Sequence, residues 1–152
     1  MKAKNGSAII RLIAVILVLT LTLPMTVGAT PTAAVQPRAS LYLDSYNAYI
    51  YTAGSGEIQV WFTVKGTDYM DEIGALTIQI YESTNNSSWT WKKSFTHEST
   101  AGMLHFDDYY HSGHVDYQGV AGRYYKAYVC IWAGENGDGD TRYFYTTTVK
   151  AI

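Results

Sequence analysis

The sequence predicts an all-β fold: an antiparallel β-sandwich of immunoglobulin-like or fibronectin III-like architecture, with about seven strands, that follows a signal peptide. Three observations support this prediction. Apolar and polar residues alternate along several short segments, which is the period of a strand with one buried face. No segment after residue 29 repeats apolar residues at the spacing of a helix face. Clusters rich in glycine and asparagine, Gly66-Thr67-Asp68 among them, separate the alternating segments, as turns do.

The first 29 residues have the layout of a secretory signal peptide. Lys2, Lys4 and Arg11 precede an apolar run over 12–23, and small side chains lead up to Ala29. An apolar stretch of about 15 residues, at ~1.5 Å each, is short for a ~30 Å hydrocarbon core. Cleavage after Ala29 is therefore favoured over an uncleaved anchor, and we expect a secreted protein with no membrane contact after cleavage.

Residues 30–39 hold two of the three prolines and are expected to be a disordered lead-in, so that the β-sandwich domain occupies 40–152. All 13 acidic residues but only 8 of the 11 basic residues follow residue 29, a formal charge of −5. This balance disfavours nucleic acid as a partner. Cys130 is the single cysteine, which excludes an internal disulfide, and a secreted domain without disulfides is typical of Gram-positive bacteria.

The alternation places the strands in order along the domain. The expected segments are 46–52, 57–65, 76–81, 89–95, a segment around 115–117, 124–132 and 143–149. In the second, Phe62 shares one face with other apolar residues, and Trp61 lies on the opposite face. In the third, Leu76 is expected inward with Ile78 and Ile80. In the fourth, Trp89 and Trp91 alternate in phase with Phe95 and are expected in the core.

The last two strands carry the strongest signals. Residues 124–132 are apolar or aromatic on both faces, which predicts a central strand that is covered on both sides. Tyr124 or Tyr125 is a candidate tyrosine corner. Residues 143–149 are rich in tyrosine and threonine, which favour strands.

The segment between them, GENGDGDTR (134–142), first suggests a calcium loop. Asn136, Asp138 and Asp140 fit the first three oxygen positions of an EF-hand loop. Position 6 is Thr141 rather than glycine, and position 12 is Thr147 rather than an acid. We therefore interpret the segment as a hairpin turn and expect no metal there.

Three motifs, SLYLDSYNAYI (40–50), MDEIGALTIQIYEST (70–84) and AGRYYKAYVCIWAG…GDTRYFYTTTVKA (121–151), resemble a family of small secreted Firmicutes proteins of unknown function. The resemblance covers essentially the whole domain. It implies a secreted single-domain β protein of a Gram-positive bacterium, and it brings no functional residues with it.

A shorter segment, DDYYHSGHVDYQGVAGRYYKAYV (107–129), resembles part of the lactococcin-972-like bacteriocins. These are small secreted β-sandwiches with a Tyr-Tyr-His…His run before a closing strand. The likeness covers some 23 residues and implies a different function, that of a secreted effector acting on related bacteria.

Acidic and histidine side chains are concentrated between residues 105 and 116, but the spacing argues against a metal or catalytic site. His111 and His114 are three apart, and on a strand such residues face opposite sides. Adjacent carboxylates at Asp107 and Asp108 also point apart. There is no Gly-x-Ser-x-Gly elbow, and Cys130 lies in an apolar context that makes a thiol inert. We expect no cofactor and no enzyme activity, with a hydrolase as the third hypothesis.

Exposed aromatic side chains are the most informative feature. All 14 tyrosines, four tryptophans and four phenylalanines follow residue 29. Rings in polar surroundings offer flat apolar faces that stack on sugars or anchor a protein contact. We expect a monomeric binding module for a cell-wall glycan or an extracellular protein, with the bacteriocin-like effector as the alternative. The candidate binding residues are Trp61, Tyr109, Tyr110, His111, His114 and Tyr117.

Overall fold

The computed structural model describes residues 40–152; the signal peptide (1–29) and lead-in (30–39) that the sequence predicts lie outside the described residues. Residues 40–152 form seven strands, and every pairing is antiparallel. The predicted all-β fold class is confirmed. Residues 40–152 contain no helix that is long and apolar enough to cross a membrane. The strands are β1 (Leu43–Gly54), β2 (Glu57–Ser83), β3 (Thr90–Thr96), β4 (Leu104–Gln118), β5 (Tyr124–Glu135), β6 (Asp138–Tyr145) and β7 (Val149–Lys150).

Strand β2 is 27 residues long and belongs to both halves of one curled sheet. Its first part, residues 57–66, lies between β1 and β4. Its last part, residues 72–83, pairs with β5 on one side and, on the other side, with β4 at 72–74 and with β3 at 77–82. Strands β6 and β7 pair with the other edge of β5. We call β1, the first part of β2 and β4 the first half-sheet. The second half-sheet contains β3, the last part of β2, β5, β6 and β7.

The sequence predicts a turn at residues 66–68 that would divide β2 into two strands, and this prediction is wrong. Gly66 still pairs with Leu43 of β1, and the Thr67 amide donates a 3.0 Å hydrogen bond to the Tyr42 carbonyl. The backbone groups that a turn would leave free thus have partners in the chain before β1, which favours extended continuation. The irregularity appears as a slip in the pairing with β4 after Lys65 and as a register shift in the pairing with β1 between Leu43 and Ser45.

A single hydrophobic core joins the inward side chains of the two half-sheets. The inward face predicted for 57–65 is confirmed, because its four apolar residues are fully buried. Burying each such side chain stabilises the fold by about 1.5–3 kcal/mol. The fully buried core residues include Ile58, Val60, Phe62, Val64, Ile73, Ile78, Ile80, Tyr125, Val129 and Ile131.

Two register shifts change which residues face inward. Between Ala75 and Thr77 the pairing with β5 slips, so that Ala75 is buried and Leu76 only half-buried. A second shift in the pairing of β2 with β3 sets Trp91 opposite Tyr81, on the outward side. Trp91 is 55% exposed and Trp89 is half-buried outside the core, so the predicted place of both in the core is wrong. A bulge inverts the alternation beyond it, and the spacing of apolar residues alone does not reveal a bulge.

The outward face of β5 differs from the prediction of a strand covered on both sides. Its inward residues are buried, but Tyr124, Lys126, Tyr128 and Trp132 are only half-buried. Aromatic side chains of neighbouring strands provide the partial cover, since Tyr128 packs between Tyr143 and Tyr145 of β6. The apolar character of this face therefore reflects an aromatic outer surface.

The segment 134–142 is the hairpin turn that the sequence predicts. β5 ends at Glu135 and β6 begins at Asp138, so Asn136 and Gly137 form a two-residue loop. Both have positive φ, 55° and 79°, as the Asn-Gly pair of a tight hairpin requires.

Candidate functional site

The outward surface of the first half-sheet contains Trp61, the first of the predicted binding residues. Trp61 alternates with buried Val60 and Phe62, which directs its indole away from the core, and it is 37% exposed. His114 lies directly opposite on β4, and the two rings stack with centroids 4.3 Å apart and planes 16° apart. Cross-strand pairs of this kind hold both side chains in one orientation.

Hydrogen bonds fix the Trp61–His114 pair further. The indole Nε1 of Trp61 donates a 3.2 Å hydrogen bond to Oε1 of Gln59. The Nε2 of Gln59 in turn donates a 2.9 Å hydrogen bond to Oδ1 of Asp116. The other carboxylate oxygen of Asp116 lies 3.8 Å from Nε2 of His114. Four outward side chains of β2 and β4 are thus linked, and an exposed indole held in this way loses little freedom on binding.

Tyrosines of β1 extend the same surface on the other side of β2. Tyr49 pairs with Trp61 in the register of the sheet, and its ring lies 6.2 Å from that of Tyr51. The amide of Asn47 donates a hydrogen bond to the Tyr49 hydroxyl. The sequence analysis did not single out these tyrosines, although their alternation with Ala48 and Ile50 would have placed them outward.

A shallow cleft lies at the end of this surface, where β2 departs from regular pairing with β4. Tyr110 stands opposite Lys65, and Tyr109 packs against Tyr69 with ring centroids 5.6 Å apart. The cleft has a volume of about 340 Å³. A 2.7 Å ion pair between Lys65 and Asp44 lies at its side, and that hydrogen bond raises the pKa of the Lys65 ammonium. The lining residues are Asp44, Lys65, Gly66, Thr67, Asp68, Tyr69 and Tyr109.

We call the outward side chains of the first half-sheet and this cleft the Trp61 surface. Its members are Tyr49, Tyr51, Gln59, Trp61, Lys65, Tyr69, Tyr109, Tyr110, His114 and Asp116.

The other two predicted residues lie on the inward side of β4. His111 stands opposite Val64, and its ring packs against Phe62 at 5.6 Å. Its Nε2 lies 2.8 Å from the Gly102 carbonyl. Tyr117 stands opposite Ile58 and packs against the core.

The structure thus brings four of the six predicted residues to one surface, Trp61, Tyr109, Tyr110 and His114. It separates His111 and Tyr117 from that surface.

The Asp/His segment of β4 is dispersed in the same way. His105 stacks on His111 at 5.3 Å, and its Nε2 lies 3.5 Å from a carboxylate oxygen of Asp108. Across residues 40–152, no three histidine, cysteine or carboxylate side chains converge as a metal site would need. Cys130 is buried, and burial raises the pKa of its thiol, which keeps it protonated and unreactive.

A second aromatic surface lies on the outward side of the second half-sheet and was not predicted as a site. Tyr145 packs against Tyr128 at 4.7 Å and against Tyr81 at 6.1 Å. The Lys126 ammonium lies 4.5 Å from the Trp89 ring centroid and 4.4 Å from that of Tyr145. We call these residues, with Trp91, Tyr143, Tyr124 and Lys150, the Lys126 surface.

These features define a class of protein: an antiparallel β domain whose two outer surfaces are rich in aromatic side chains. No protein-family model and no curated protein matches the chain. Two solved structures are similar in fold at low identity. The sporulation control protein Spo0M from Bacillus subtilis is 13% identical, with a TM-score of 0.39; the match covers 71% of this chain and 49% of Spo0M, so the chain spans about half its length. A protein from Archaeoglobus fulgidus is 7% identical, with a TM-score of 0.34, covering 72% of this chain and 98% of that one.

Proposed function

We propose that the protein is a secreted, non-catalytic module that binds a cell-wall glycan through the Trp61 surface. The observation that carries the proposal is the stacked Trp61–His114 pair, held outward by Gln59 and Asp116. A fixed, exposed ring with polar groups at its rim suits a sugar, whose C–H face packs on the ring and whose hydroxyls need hydrogen-bond partners.

The shape of the Trp61 surface supports a linear ligand. Trp61, Thr63 and Lys65 follow one another on the outward face of β2, and four residues of strand extend over about 13 Å. Beyond Lys65 lies the cleft between Tyr69 and Tyr109. A linear glycan that starts on Trp61 would reach two further aromatic side chains and a carboxylate in the cleft.

We propose no catalytic role for the Trp61 surface because its polar side chains already have partners. The carboxylates near Trp61 are engaged, Asp116 with Gln59 and Asp44 with Lys65. Secretion rests on residues 1–29, which lie outside the described residues. The bacteriocin-like alternative rests on the likeness over 107–129 alone, and growth inhibition of related bacteria by the purified protein tests it.

Co-sedimentation with purified peptidoglycan tests the proposal. Trp61→Ala removes the stacking ring, and we expect it to weaken binding about tenfold or more, because aromatic anchors contribute about 2 kcal/mol. Phe106→Ala, which removes an exposed aromatic ring of β4 outside the Trp61 surface, is the matched control and should leave binding within about twofold of the parent. Equal binding by both variants would contradict the role of Trp61, and no sedimentation with any wall glycan would overturn the proposed function.

A further inference from the structure

Charge is distributed unevenly over the domain. Residues 40–152 contain all 13 acidic residues, yet none occurs in 77–81, 90–96 or 124–134. The acidic residues of β6 are at its hairpin end, where Asp138 pairs with Glu135 and Asp140 with Ala133. The outward side of the second half-sheet is therefore free of carboxylates over these segments.

Basic side chains occupy the same region. The Lys126 ammonium is held between the rings of Trp89 and Tyr145, and the Lys150 ammonium lies 5.4 Å from the centroid of the Tyr124 ring. Tyr124 pairs with Lys150 in the sheet and is two residues from Lys126, so the two lysines occupy nearby positions in the sheet. The lysines of β3 do not belong to this surface: Lys92 is paired with Glu82 at 3.3 Å, and Lys93, opposite buried Ile80, lies 4.7 Å from the Phe95 ring centroid on the inward side.

We propose that the Lys126 surface binds an anionic glycan, a linear polysaccharide that carries carboxylate or phosphate groups. The occupant follows from charge complementarity: two ring-supported ammonium groups, on a surface without acids, attract anions although the protein as a whole is acidic. The proposal does not depend on glycan binding at the Trp61 surface, because it concerns different residues on the other half-sheet.

The packing of the rings favours a glycan over a single-stranded nucleic acid. Nucleobases need free ring faces on which to stack. Tyr128 is flanked by Tyr143 at 6.0 Å and by Tyr145 at 4.7 Å, and Lys126 already occupies a face of Trp89. The rings of Tyr128 and Trp89 thus have neighbours within the protein on part of their faces, and the phenol hydroxyls of the exposed Tyr143 and Tyr145 suit hydrogen bonds to sugar hydroxyls and acidic groups.

Affinity electrophoresis or calorimetry of the full-length mature protein tests this assignment with polygalacturonate as the anionic glycan and dextran as the neutral one. We expect binding to polygalacturonate that weakens as salt is added, because exposed charges are screened, and no binding to dextran. The double variant Lys126→Gln, Lys150→Gln should bind polygalacturonate with an affinity reduced by about tenfold or more. The matched variant Lys126→Arg, Lys150→Arg keeps both charges and should bind like the parent.

Three outcomes would overturn the assignment. The first is no binding of polygalacturonate at low ionic strength by a folded protein, as judged by circular dichroism. The second is equal binding by the glutamine and arginine double variants. The third is tighter binding of oligo(dT) than of polygalacturonate, which would assign the surface to single-stranded nucleic acid.

Discussion

The hydroxyl of Tyr125 donates a 2.5 Å hydrogen bond to the carboxylate of Glu82, and this bond joins the start of β5 to the end of β2. The same hydroxyl accepts a 2.8 Å hydrogen bond from the amide of Val120, five residues before it. Tyr125 is fully buried, and the bond back to the preceding loop is that of a tyrosine corner. Of the two candidates for this role in the sequence, Tyr125 is the one that fills it.

Tyr125→Phe is expected to destabilise the protein by about 1–3 kcal/mol. The change keeps the ring in the core but leaves the Val120 amide and the Glu82 carboxylate without their partner. Urea denaturation followed by circular dichroism measures the loss. Tyr51→Phe, which alters an exposed tyrosine of β1, is the control and should change stability by less than about 0.5 kcal/mol. A similar loss in both variants would contradict a special role for the Tyr125 hydroxyl.

The same pair predicts how stability depends on pH. Burial, and then the bond to Glu82, raises the pKa of Tyr125 from 10 to about 12. The neutral hydroxyl therefore stabilises the fold fully below pH 10, and this contribution, roughly 2 kcal/mol, is lost as pH rises towards 12. The stability difference between the parent and Tyr125→Phe should shrink over that interval. A stability difference that stays constant between pH 10 and pH 12 would contradict the raised pKa of Tyr125.

Glu82 gives the corresponding effect in acid. The hydrogen bond from Tyr125 holds the pKa of Glu82 below its ordinary value of 4.5. Its contribution is present above pH 4.5 and is lost as pH falls through the lowered pKa. Glu82→Gln should therefore reduce stability at neutral pH and make the remaining stability less sensitive to acid. Denaturation curves of the parent and Glu82→Gln between neutral and acid pH measure this, and parallel profiles would contradict it.

Asp140 ties the start of the described chain to β6. One carboxylate oxygen accepts hydrogen bonds from the Ser40 hydroxyl, the Leu41 amide and the Tyr42 amide, at 2.5, 2.8 and 3.1 Å. These bonds, the first above all, lower the pKa of Asp140, so its contribution is present near neutral pH and lost in acid below pH 3.8. This second role of GENGDGDTR, as an anchor for the residues before β1, was absent from the sequence-based interpretation.

Asp140→Ala is expected to cost about 1–2 kcal/mol and to free the residues before β1. Hydrogen exchange at the Leu41 and Tyr42 amides should become faster, while exchange in β5 changes little. Asp138→Ala is the matched control, because that carboxylate contacts only the Tyr42 hydroxyl in this region, at 3.3 Å. Slow exchange at both amides in Asp140→Ala would contradict the anchoring role.

Local alternation was enough to locate most strand segments and the core of β2, because one face of each strand must be buried, but the single strand predicted at 143–149 is in fact the end of β6 and the start of β7. It failed wherever the chain departs from period two. Trp91 moved from the predicted core to the surface through one bulge, and β2 continued through residues 66–68 because β1 supplied its hydrogen-bond partners. Bulges and long shared strands depend on which strands become neighbours, and a sequence read segment by segment does not contain that information.

The candidate site was likewise predictable only where it depends on local alternation. Trp61 was placed outward from its alternation with Phe62, and the structure agrees. Its partner His114 was selected for the polar surroundings of its segment, and the cross-strand pairing that joins the two emerges only from the register of β2 with β4. In the regularly paired part of β4, His111 and Tyr117 differ from His114 by an odd number of residues, so the strand directs them inward. Tyr109 lies at the slip after Lys65, where this alternation no longer holds. The Lys126 surface was missed because an apolar segment was interpreted as covered by another layer.

Gly74 marks the point where β2 passes from the first half-sheet to the second, and its replacement is expected to be severe. Its φ is 150°, and a Cβ there would lie 2.2 Å from the carbonyl oxygen of Met103. That carbonyl accepts a 2.8 Å hydrogen bond from the Ala75 amide, so the two segments cannot separate without losing it. Gly74→Ala should therefore destabilise the protein by about 3 kcal/mol or more.

Gly102→Ala is the control. Its φ of 81° is also positive, but a Cβ there meets nothing within 4 Å, so we expect a loss of stability of about 1 kcal/mol. Thermal denaturation of the two variants decides the matter, since equal losses would contradict the close approach of Met103 to β2.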